Sequence, residues 1–146
     1  MKGILRYGGL VLGGLLVFTS LARAQQATSA PVMIEYYYKL APGATKEWLA
    51  LYKKNHNPIL QQHMKSGLLL SERLFERRYH AIAPAWDYKI VMVWRDGAAL
   101  DQARQREQEI IRSLYPNQDD HDRQERRRWV FTVEHWDDVL NEVALD

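Results

Sequence analysis

The sequence predicts an α+β domain of order βαββαβ, a four-stranded antiparallel sheet with helices on one face. Two stretches, 32–40 and 87–95, alternate apolar and polar residues with the period of a half-buried strand. Two others, one starting at Thr45 and one over 98–114, repeat apolar residues at three- and four-residue spacing, the period of an amphipathic helix. Interleaved with two weaker strand-like stretches, they give the split βαβ order, whose antiparallel sheet is covered on one side only.

The first 24 residues are set aside from this fold. Lys2 and Arg6 precede an apolar run over 10–21, and Ala22-Arg23-Ala24 supplies small residues at a cleavage position, the pattern of a secretory signal. The run is shorter than the roughly 20 residues that span a bilayer, so no stable membrane insertion is expected after the signal is removed. The remaining chain is expected in the periplasm or outside the cell. Residues 25–31, a short Gln/Thr/Ser/Ala stretch, read as a flexible tether, and 32–146 as a single domain.

Within that domain, Val32, Ile34, Tyr36, Tyr38 and Leu40 form one side of the first strand and Met33, Glu35, Tyr37 and Lys39 the other. Pro42-Gly43 breaks it. Thr45 is expected to cap a helix whose inner stripe is Trp48, Leu49, Tyr52, His56, Ile59, Leu60 and His63. Pro58 is expected to bend or split that helix, because it lacks an amide donor and crowds the carbonyl of Lys54. Gly67 closes it, 68–79 reads as a second strand and 80–85 as a loop. The third strand sets Tyr88, Ile90, Met92 and Trp94 against Lys89, Val91 and Val93, and Asp96-Gly97 ends it. The helix over 98–114 buries Leu100, Ala103, Ile110, Ile111 and Leu114 and is interrupted by Tyr115-Pro116-Asn117. A further helix is expected from Asp119. Its acids suit the positive N-terminal end and Arg126, Arg127 and Arg128 the negative C-terminal end, as a solvated charged face. Residues 135–143 supply the last strand, with Trp136 expected in the core. The uncovered side of the sheet would carry Tyr37, Phe75, Val91 and Val93, which predicts a homodimer that buries them.

Composition excludes several function classes. The 146 residues carry 20 Lys and Arg against 18 Asp and Glu, a net charge of +2. Loss of Lys2, Arg6 and Arg23 with the signal leaves the domain nearly neutral, with no global attraction to nucleic acid. There is no cysteine, which removes disulfides, thiolate metal sites and a thiol nucleophile. No phosphate-cradling glycine loop, nucleophile elbow or dinucleotide fingerprint is present.

The run Tyr36-Tyr37-Tyr38-Lys39-Leu40-Ala41-Pro42-Gly43 followed by Glu47-Trp48-Leu49 resembles the opening of the dimeric α/β-barrel superfamily, ferredoxin-like proteins whose two sheets close into one barrel. Leu114-Tyr115-Pro116-Asn117 and His135-Trp136-Asp137 are similar to segments of small exported bacterial members without assigned activity. The superfamily that the chain resembles includes cofactor-free quinone-forming monooxygenases, haem-degrading monooxygenases, haem peroxidases and non-catalytic binding members. Haem degraders of this fold use an Asn on the first strand, a Trp on the third and a His on the second long helix. Only Trp94 matches that set, so no cofactor is expected.

Two histidines are the candidate catalytic bases, since an imidazole titrates near neutrality. His56 lies on the inner stripe of the first helix, in Asn55-His56-Asn57-Pro58, two turns or roughly 10 Å from His63, too far for both to hold one ion. His135 and Asp137 share a strand face and can pair. Tyr36, Tyr38, Tyr88 and Trp94 are the candidate ligand-binding residues, lining a small-molecule pocket between sheet and helix. Asp119-Asp120-His121-Asp122 lacks the spacing of a calcium loop, and no metal site is expected. The leading expectation is an exported protein that binds a small, partly apolar molecule. The alternatives are a cofactor-independent monooxygenase or isomerase acting on an aromatic or enolisable compound, and an interaction module whose charged helix docks an envelope partner.

Overall fold

The structure, a computed structural model, describes residues 30–79, 85–143 and 145. Residues 1–29, where the sequence predicts a signal and most of a tether, and residues 80–84 of the expected loop lie outside the described residues. The elements are β1 (Val32–Leu40), α1 (Thr45–Leu51), a π-helical segment (Tyr52–His56), α2 (Asn57–Lys65), β2 (Leu69–Glu76), β3 (Tyr88–Trp94), α3 (Gly97–Leu114), α4 (Gln118–Val130) and β4 (Thr132–Leu140). The four strands form one antiparallel sheet in the order β2-β3-β1-β4.

Alternation decides which residues meet the helices. Ile34, Tyr38 and Leu40 of β1 and Tyr88, Ile90, Met92 and Trp94 of β3 are buried together with Trp48, Tyr52 and Leu60 in one core. The opposite face carries Met33, Glu35, Tyr37, Lys89, Val91, Val93 and Phe75, none of them fully buried. On that face Tyr37 stacks on Trp136 at 5.0 Å, and Lys89 bonds Glu35 at 3.0 Å. Trp136 therefore does not fill the core beneath the helices as the sequence suggested. It follows β4 alternation to the open side, because His135 and Asp137 take the helix side.

Turn chemistry fixes the connections. Ala44 N–H bonds Ala41 carbonyl across Pro42-Gly43 at 3.0 Å, with Gly43 at φ 81°, the positive value a type II turn requires at its third residue. The helix then starts one residue earlier than a Thr45 cap would place it. Ala44 is the cap residue, and its carbonyl accepts from Trp48 N–H. At the far end Gly67 (φ 69°) and Leu68 return their amides to Met64 and His63, a Schellman closure. Asp96 caps α3 by accepting from Ala99 N–H at 2.6 Å, and Asn117 caps α4 by accepting from Asp120 N–H at 3.0 Å.

Pro58 neither bends nor splits its helix in the expected way. The turn before it widens into the π segment, which absorbs the missing amide within a continuous helical path. The Tyr115 hydroxyl, arriving from the end of α3, donates to the carbonyls of Lys54 and Asn55 at 3.0 and 2.9 Å. The widened turn also carries Asn55 inward, where it is 1% exposed and donates to Gln124 of α4.

The last two elements correct the sequence reading as well. β4 begins at Thr132 rather than near 135, pairing Leu40 with Thr132 and Lys39 with Glu134 through a bulge. The α4 arginines are not one solvated face. Arg128 is 2% exposed, bonds Glu125 at 2.7 Å and lies over the rings of Trp48 and Tyr52 at 5.4 and 5.8 Å. Arg123 pairs with Asp120 and Arg127 with Glu47.

Arg128→Ala should lower the unfolding free energy by about 3–5 kcal/mol in denaturant titration, because it strands the half-buried Glu125 carboxylate. Arg128→Met combined with Glu125→Gln should recover most of that loss. An Arg128→Ala protein as stable as the wild type would contradict a structural role for this pair.

Candidate functional site

Between the sheet and the helices α2 and α3 lies a cavity of about 310 Å³. Its sheet side is Ile34, Tyr36 and Tyr38 of β1 with Met92 and Trp94 of β3. His56, Ile59, Leu60 and His63 come from the π segment and α2, and Leu100, Ala103, Arg104 and Glu107 from α3. The exposed side chains Arg104, Asp137 and Val139 mark where it opens, at the edge strand β4. The lining is apolar in its depth and charged at its rim, the usual character of a small-molecule site.

The polar atoms in its depth are under-used. Trp94 Nε1 and His63 Nδ1 are buried without a hydrogen-bond partner among the described residues. Their rings meet at 5.9 Å. Burial lowers the pKa of His63, with the positive charge of Arg106 adding to it. Burial raises the pKa of the Tyr36 phenol, and the Asp137 carboxylate raises it further, so it stays protonated at neutral pH.

His56, at the end of the π segment, faces the cavity and lies 5.3 Å from the Tyr52 ring. Burial, assisted by the charge of Arg128, pushes its pKa down to about 4. At neutral pH it is an uncharged imidazole, able to accept a proton but only weakly basic.

The other sequence candidates divide. Tyr36, Tyr38 and Trp94 line the cavity, whereas Tyr88 does not. Tyr88 packs on Trp48 at 5.5 Å, deeper in the core. His135 is also absent from the lining: its ring stacks on Tyr38 at 4.4 Å, and Nδ1 lies 2.9 Å from the Tyr37 carbonyl. Its Nε2 is 3.1 Å from Asp137, which does reach the cavity. His56 and His135 are thus not brought together as a pair of bases. Sequence reasoning did not single out Arg104 and Glu107. The available signal was the stripe Leu100, Ala103, Arg104, Glu107 on α3, whose spacing puts two charged residues on the apolar side of an amphipathic helix. Among the described residues no group of His, Asp and Glu side chains is placed to hold a metal ion, and no helix is long and apolar enough to cross a membrane.

No family model matches the chain, and no curated protein matches it. Solved structures do. A NIPSNAP family protein from Agrobacterium tumefaciens aligns with TM-score 0.51 at 14% identity, covering 81% of this chain and 90% of that one. A dimeric ferredoxin-like protein from an uncultured marine organism aligns with TM-score 0.51 at 9% identity, covering 81% and 94%. The chain has the ferredoxin-like fold. An antibiotic biosynthesis monooxygenase shares this ferredoxin-like architecture, with TM-score 0.50 and 17% identity over 77% of this chain and 99% of that one. At these identities the likeness concerns architecture alone.

The depressed pKa of His56 has a stability consequence. The unfolded chain binds a proton at this residue near pH 6.5 and the folded chain only near pH 4. The contribution is therefore full above about pH 6.5 and is lost as pH falls toward about 4. Denaturant titrations across that window should show declining stability, and His56→Gln should flatten part of the decline. A His56 ring-proton NMR titration with its midpoint near the ordinary imidazole value would contradict the buried neutral state.

Proposed function

We propose that this chain binds a small, partly apolar molecule in the cavity between the sheet and α2–α3, and that it does so as an exported homodimer. The observation that supports binding is the pair of buried ring nitrogens without a well-formed hydrogen bond, Trp94 Nε1 and His63 Nδ1, in the depth of the cavity. A polar atom left unsatisfied in a protein interior costs about 1–3 kcal/mol, and a ligand bearing complementary polar atoms would offset that cost. Export rests on the charged, apolar and small-residue order of residues 1–24. Self-association rests on the helix-free face, where Val91, Val93, Tyr37 and Phe75 are only partly covered within one protomer.

A second reading is favoured by His56, which meets the same cavity uncharged. Such a group can take a proton from an aromatic hydroxyl or an enolisable carbon without a cofactor, giving a cofactor-independent monooxygenase or isomerase. The two readings separate on turnover: a binding protein returns its ligand unchanged.

Native mass spectrometry of protein recovered from the periplasm of its own host should show a copurifying small molecule, and Trp94→Ala should reduce its occupancy several-fold. Protein free of any adduct under the gentlest conditions would count against the binding reading. Light scattering at micromolar concentration should return twice the mature mass, and Val93→Glu should shift it to the monomer. A wild-type monomer would refute the dimer.

A further inference from the structure

Trp94 of β3 and Arg104 of α3 bring hydrogen donors to the lining of the cavity. Trp94 is 4% exposed, and its indole N–H, which can only donate, makes no well-formed hydrogen bond, the Tyr36 hydroxyl being the acceptor beside it. Tyr36 stands close to it, since both the Trp94 indole and the Arg104 guanidinium act on its phenol, which burial keeps protonated. Arg104 enters the lining from α3, and its ion pair with Asp101 is a loose contact of 3.7 Å on an exposed surface. A guanidinium has five N–H donors and favours the planar fork of a carboxylate.

Two carboxyl groups share the lining with these donors. Asp137 lies 3.1 Å from His135 Nε2 at the β4 edge. Burial, with the charge of Glu125, raises the pKa of Glu107.

We propose that the cavity takes a small organic carboxylate, whose charged end is received by Arg104 and the Trp94 N–H and whose apolar body lies among Ile34, Ile59, Leu60 and Met92. This rests on the binding function proposed above and names its ligand class. The volume of about 310 Å³ sits at the small end of ligand pockets, which run from about 300 to 1,000 Å³, and suits an acid with one or two rings. The tyrosine hydroxyl adjoining Trp94 supplies a third donor.

Isothermal titration of the purified protein with cinnamate and cinnamamide, and with benzoate and benzamide, tests it. Within a pair the shapes are close and only the acid is charged. Each acid should bind at least about tenfold more tightly than its amide, the effect of one charge-assisted bond. Arg104→Gln, at an exposed position where folding is not at stake, should abolish that preference by weakening the acid at least about tenfold more than the amide. Trp94→Phe should weaken acid and amide alike, because both offer an acceptor oxygen to the N–H. Equal binding of acid and amide, or an acid preference that survives Arg104→Gln, would overturn the carboxylate assignment while leaving the cavity as a binding site. Failure of all four probes to bind at millimolar concentration would overturn both.

Discussion

The structure depends on the burial of one indole. Trp48, 0% exposed, stacks on Tyr52 at 5.3 Å and Tyr88 at 5.5 Å, meets Tyr38 at 4.7 Å and donates Nε1–H to the Thr132 hydroxyl at 3.0 Å. Arg128 closes over its ring from α4. A single side chain on the first helix thus touches β1, β3, the start of β4, the π segment and the last helix. A domain of this size without disulfides draws its stability from packing, and here the largest aromatic contacts converge on that residue. The buried guanidinium is tolerable because Glu125 pairs with it and aromatic faces replace part of its hydration.

From this hub the cavity follows. The stack places the π segment, and that segment sets His56 at the edge of the open volume instead of under Trp48. Tyr115 then holds the widened turn from the other side, so the C-terminal end of α3 is tied to the base of the site. Tyr52 donates to Glu72 of β2 at 2.6 Å, and Asn57 donates to the same carboxylate at 2.8 Å, which anchors both ends of the segment to the sheet.

The architecture was legible because it is written in periodicity. The alternation of Tyr88, Ile90, Met92 and Trp94 is reproduced residue by residue in burial, and Pro42-Gly43, Gly67 and Asp96 mark boundaries that backbone chemistry dictates. The parts that were not legible depend on long-range contacts. Pro58 is a helix breaker by local rules, yet a hydroxyl 57 positions away in the chain donates to the Lys54 carbonyl that it crowds. Arg128 looks like its neighbours Arg126 and Arg127 in the sequence, and only the docking angle of α4 decides that it goes inside. The same holds for the site. Tyr36, Tyr38, Trp94 and His56 could be drawn from the strand and helix stripes, but whether Tyr88 of the third strand meets open volume depends on where Trp48 sits. Arg104 reads as an ordinary surface charge until α3 is laid against the sheet.

Three consecutive tyrosines serve two environments. Tyr36 and Tyr38 look toward the helices while Tyr37, between them, stacks on Trp136 outside. Exchanging one tyrosine for another aromatic leaves that division intact, but inserting or deleting a single residue in the strand would send all three to the wrong compartment at once. This segment therefore accommodates aromatic replacement but not a change of length.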